Sequence, residues 1–82
     1  LQVIDKGIRK EFSLPDEIDG VLISDVLPES QYADIIARGM VILEVNGVAV
    51  TTTEAFEAQL QVGKNHLYIW HKGMNHFIVL KI

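Results

Sequence analysis

Asp5, Ser24 and His66 supply the three residue types of a hydrolytic triad within a chain of 82 residues. An activated serine needs a base in hydrogen-bond reach and an oxyanion hole, which sequences mark by a Gly-x-Ser-x-Gly or Gly-Asn-Ser-Gly surround. Neither pattern surrounds any serine here, so the expectation is a chain with no catalysis of its own. Asp16-Glu17 are adjacent carboxylates, but they follow Pro15, where turn capping and solvation explain them better than acid–base work. His71 and His76 offer a third chemistry. A hairpin centred on Gly73-Met74 would set His71 opposite His76, within chelating or repelling range. Two solvated histidines at a loop tip is the plainer reading, and neither a metal nor a cofactor is implied. Zero cysteines leave no disulfide, thiolate or Cys-based zinc chemistry.

The elements that would position such residues are best marked between Gly39 and Phe56. Val41, Leu43 and Val45 alternate with Ile42, Glu44 and Asn46, the period of a strand, and Asn46-Gly47 supplies the positive φ angles of a sharp reversal. Past Val50, a threonine run followed by Glu54 offers an N-cap and a reciprocal acid, with Phe56 and Leu60 one helical turn apart. The spacing predicts a main helix over Thr52 to Val62, with Gly63 at its left-handed exit. Leu1 to Ile4 reads as a short strand end. Lys6 to Leu14 reads as a brief helix with Ile8 and Phe12 on one face, stopped by Pro15. Val21 to Leu27 predicts a strand with Val21, Ile23 and Val26 buried, and Gln31 to Ala37 a second short helix. Leu67 to His71 and His76 to Ile82 predict a closing hairpin.

Composition limits the possible partners. A chain this short with 49% hydrophobic residues forms one thin core, and leans on a larger parent or an oligomer. Net charge is −4 with the seven Lys and Arg scattered, which argues against a nucleic-acid surface. No apolar run approaches the roughly 18 to 20 residues that span a bilayer.

Gly39-Met40-Val41-Ile42 through Val45-Asn46-Gly47 to Val50 resembles the block that precedes the groove helix in PDZ domains of HtrA/Deg (Do-like) serine proteases. Gly20-Val21-Leu22-Ile23 with Pro28-Glu29-Ser30 is similar to that family's Gly-Val strand and Pro-x-Ser turn, and Leu67 to Ile82 to its terminal hairpin, so the likeness spans most of the chain. Gly-Met-Val-Ile and the ending Phe77 to Ile82 are most similar to the second, C-terminal PDZ domain of such proteases. The resemblance implies a single PDZ-like domain over residues 1–82. Its fold would be α+β and mainly β, a partly open β-sandwich of five to six strands with one longer and one or two short helices. It also implies a periplasmic or cell-envelope location. Catalysis would reside in a separate protease domain. Met40 stands where the family often has Asp, and Asp34-Ile35-Ile36 where it often has Ala-Gly-Leu.

In that family an extended peptide adds as a strand beside the helix, its carboxylate held by a glycine-containing loop upstream of the groove strand. Leu1, Gln2 and Val3 would match that strand, which places the loop upstream of Leu1 and outside this chain. Either the loop lies in a preceding segment or this copy serves assembly instead. Leu1, Gln2 and Val3 would offer backbone bonds, with Ala55 and Gln59 facing the peptide or forming a plain solvated helix face. Tyr68, Trp70, Phe77 and Val79 share one face of the hairpin, either under a helix or exposed as an interface with Trp70 at its centre. The expected partners are peptide or unfolded-protein segments, or sister protease and PDZ domains of a homo-oligomeric parent.

Overall fold

A computed structural model describes residues 2–24 and 35–82. Leu1, Val26, the Pro28-Glu29-Ser30 turn and most of the short helix expected over Gln31 to Ala37 lie outside the described residues. Helix α1 spans Lys6–Glu11 and α2 spans Thr53–Gln59. The strands are β1 (Gln2–Val3), β2 (Val21–Leu22), β3 (Val41–Val45), β4 (Val48–Ala49), β5 (Lys64–His71) and β6 (Met74–Lys81). They form one antiparallel sheet in the order β1-β2-β3-β5-β6, with β4 paired to β3. The fold is α+β and mainly β, PDZ-like and partly open.

Alternation along the strands sorts the apolar residues onto two faces. Val21, Ile42 and Ile69 point to one side, where Val45, Val50, Leu67, Leu80 and Phe56 of α2 complete a core. Leu22, Val41 and Trp70 point to the other, where Leu14, Ile8 of α1 and Phe12 at its C-cap cover them. The two short helices therefore cap opposite faces. Strict alternation fails at one place. Ile42 opposes Ile69 while Glu44 opposes Tyr68, so β3 carries one residue more than β5 at Leu43. Leu43 and Glu44 then fall on the α1 side together and Val45 returns to the α2 side, as a β-bulge requires.

Asp5 caps α1 by accepting a hydrogen bond from Ile8 N at 2.9 Å. Arg9 then organises the following loop, donating from Nη1 to the carbonyls of Pro15, at 2.8 Å, and Ile18. Its Nη2 stands 4.0 Å from Asp19, an exposed pair worth little by itself. This loop lays Leu14 onto the sheet. Thr52 caps α2, accepting from Ala55 N at 3.0 Å, while Glu54 takes the hydroxyl of Thr53 at 3.3 Å. The reciprocal acid of a capping box would have to stand at position 55, so the cap is the threonine alone.

Gly20 enters β2 where the chain passes closest to β3. A Cβ there would run into the carbonyl oxygen of Ile42 and stand 3.0 Å from Cγ1 of Val41. Backbone on a paired strand cannot step aside. Gly20→Ala is expected to cost about 2 kcal/mol, in the overpacking range, and to lower Tm by roughly 10 °C for a domain of this size. An unchanged thermal melt would show that β2 and β3 separate there without loss.

Candidate functional site

The outer edge of β1 has no strand partner among the described residues. Gln2 pairs with Leu22 and Val3 with Val21, which leaves the alternate backbone groups of β1 directed away from the sheet. Val21 of β2, the partner of Val3, packs in the same core as Phe56 of α2, so the strand next to the edge and the helix share one hydrophobic unit. Of the expected peptide-facing residues, Ala55 is half-buried and packs against this core. Gln59 ends α2 and is held through its backbone, its carbonyl accepting from Asn46 Nδ2 at 2.9 Å. Leu1 lies outside the described residues.

The end of α2 is fixed by an asparagine pair. Asn46 and Gly47 have φ of 51° and 83°, the reversal expected of an Asn-Gly turn. Asn46 also continues the β3–β5 ladder beyond Val45. Its N–H donates to His66 O at 2.7 Å, and its Oδ1 accepts from His66 N at 2.9 Å. Asn65 is fully buried (0% exposed). Its Oδ1 accepts from Asn46 Nδ2 at 3.1 Å and from Gln61 N at 2.8 Å, and its Nδ2 donates to Gln61 O at 2.8 Å. These side chains take the groups that another helical turn would have used. The helix therefore stops at Gln59 and Leu60 is extended, where the periodicity carried it to Val62. Gly63, at φ 99°, instead pairs with Ile82 through two 2.9 Å backbone bonds that close the hairpin's open end. Nothing in sequence spacing marks Asn65. Its one sign is a polar residue at an inward position of an apolar strand.

The hairpin turns at Lys72-Gly73, with φ of 50° and 81°, so His71 opposes Met74 and Ile69 opposes His76. This corrects the expected turn by one residue and the expected register by two. Positive φ at both central positions is the type I′ reversal, with Gly73 at the second place, where it adopts that angle freely. Even a slip of two keeps every side chain on its expected face. His71 and His76 become diagonal neighbours on one face. Burial, then Lys72, then His76 hold the pKa of His71 below its usual value. Among the described residues no group of three or more His, Asp or Glu could hold a metal ion.

The aromatic face of the hairpin is divided. Trp70 is 9% exposed and packed under α1, against Leu14, Leu22 and Val41, which is the covered one of the two alternatives for this face. Tyr68 is half-buried, and its ring meets that of Phe77 with centroids 4.7 Å apart. Phe77 is 81% and Val79 48% exposed. The α1 loop reaches across β5 but leaves β6 uncovered. No family model and no curated protein matches the chain.

Beyond the end of α1, a cleft of about 550 Å³ opens beside the Lys72-Gly73 turn. Phe12 and Trp70 form its apolar wall, and Arg38, His71 and Lys72 stand around it. Among the described residues no helix is long and apolar enough to cross a membrane.

Proposed function

We propose that this chain is a peptide- and protein-binding PDZ module of an HtrA-like serine protease, taking up extended or C-terminal segments by strand addition and regulating or supplying a separate protease domain. The observation that carries this reading is the outer edge of β1, which has no strand partner among the described residues and is terminal in an antiparallel sheet whose core also holds α2. The Asn46-Gly47 turn and the threonine-capped helix after it support the same family. An edge strand supplies affinity through backbone bonds, and neighbouring side chains supply selectivity. Envelope localisation and oligomerisation through the parent are part of this proposal. A micromolar affinity is expected, about −8 kcal/mol.

A second reading rests on Phe77 and Val79. Two exposed apolar side chains on the other edge strand, with Tyr68 behind one of them, suit docking onto a sister domain within the parent assembly. One set of amide spectra separates the two readings. Titration with free-carboxylate peptides, and with their C-terminally amidated twins, is expected to move Gln2, Val3, Ala55 and Gln59. Shifts confined to Tyr68, Phe77 and Val79 that depend on protein concentration and not on peptide would favour docking. Peptide-dependent shifts absent from β1 would reject strand addition at that edge.

A further inference from the structure

The cleft beside the Lys72-Gly73 turn carries a charge opposite to that of the chain. Eleven Asp and Glu outnumber seven Lys and Arg overall, yet among the described residues the ionisable side chains of the lining are Arg38, His71 and Lys72, with no carboxylate. No carboxylate of the described residues stands within ion-pairing distance of Arg38 or Lys72. The Arg38 guanidinium lies 4.6 Å from the centre of the Phe12 ring. That contact steadies the guanidinium while leaving its planar edge available for a two-point hydrogen bond. Gly39 keeps the middle of the cleft open. A Cβ there would touch Phe12 Cδ1 at 3.7 Å and His71 Nε2 at 3.9 Å.

We propose that this cleft binds a carboxylate carried on an apolar, ring-sized body, with the ring against Phe12 and Trp70 and the carboxylate among Arg38, Lys72 and His71. A small hydrated anion would use the charges and leave the aromatic wall idle. A neutral apolar ligand would bury beside cations it cannot satisfy. Only a ligand with both parts uses the whole surface, and the cleft volume falls within the roughly 300–1,000 Å³ of small-ligand sites. The carboxylate can be that of a free arylalkanoic acid or of an aromatic residue ending a peptide chain. The inference is independent of strand addition at β1.

Trp70 is the single tryptophan of the chain, so its fluorescence reports on the cleft wall. Titration with 3-phenylpropionate is expected to give a saturable change, with 3-phenylpropionamide, acetate and inorganic phosphate each at least about tenfold weaker. Arg38→Gln, and separately Lys72→Asn, which keeps a residue tolerant of positive φ in the turn, are each expected to weaken binding about fivefold or more. His71 is faced by Lys72 and His76 and shares the lining with Arg38. Its proton is held weakly, so binding is expected to tighten between pH 7.5 and 5.5 as His71 becomes charged, and His71→Gln to remove that dependence. A peptide ending in Phe with a free carboxylate, compared with its amidated twin, identifies the source. Tight binding of the free peptide points to chain ends, and binding of the small acid alone to a free aromatic acid. Equal binding of acid and amide, phosphate binding as tightly as the acid, or affinity unmoved by both charge-removing substitutions would overturn the proposal.

Discussion

Trp70→Ala is expected to lower the stability of the chain by about 3–4 kcal/mol, the range for emptying a buried aromatic site, and Tm by roughly 15–25 °C. Trp70 fills the space between the sheet and the α1 loop, touching Leu14, Leu22 and Val41, with Phe12 and Ile18 packed around that cluster. Those partners belong to different segments. Leu22 and Val41 are fixed to one another by strand pairing, and the loop is fixed by the two carbonyl contacts of Arg9. None can move in to close the cavity without breaking hydrogen bonds, so little of the loss is recovered. Phe77→Ala is the matched control. At 81% exposed it forfeits mainly the ring contact with Tyr68, about 0.5–1 kcal/mol. Thermal melts of the two variants separate core from surface on one hairpin face. A Trp70→Ala protein that kept its Tm and lost self-association would put Trp70 back in an interface.

The contrast between these two aromatics shows where sequence reading stops. Alternation alone places Tyr68, Trp70 and Phe77 on one face, and the structure keeps them there. Which part of that face is covered depends on how far the α1 loop reaches over the sheet, and period-2 spacing carries no information about that reach. The Asn46-Gly47 reversal and the Thr52 cap are legible because their chemistry is local: a positive φ and one side-chain acceptor. The Leu43 bulge is not, because an extra residue in one strand exists only relative to its partner. The turn at Lys72-Gly73 is not legible for the same reason, since both registers put identical residues on identical faces and either can be closed with Gly73 at a turn centre. At the site, β1 reads as an edge from its position at the head of the strand order. The cationic cleft does not, because Phe12, Arg38 and Trp70 come from distant segments that no motif spacing links.

Asn65→Ala is expected to cost about 2–3 kcal/mol and to lower Tm by roughly 10–20 °C. The substitution leaves the Asn46 amide, the Gln61 N–H and the Gln61 carbonyl without their partner. A buried polar group deprived of its bond costs about 1–3 kcal/mol, and water entering the vacated space limits the sum. Asn65→Leu restores volume but no hydrogen bond, so it is expected to recover only part of the loss. Asn46 and Asn65 share a bond and a common neighbour in the end of α2. Their double-mutant cycle should therefore be non-additive by at least about 0.5 kcal/mol. The consequence for function lies in α2. Asn46 holds the carbonyl of Gln59, and Asn65 holds both the N–H and the carbonyl of Gln61, so losing Asn65 frees the helix exit from the sheet. Amide exchange over Ala55 to Gln59 is expected to accelerate in Asn65→Ala more than exchange at Val41 or Ile69. If protection of α2 stayed at its original level while Tm fell, the pair would be anchoring the hairpin alone. The helix would then owe its position beside the sheet to the packing of Phe56.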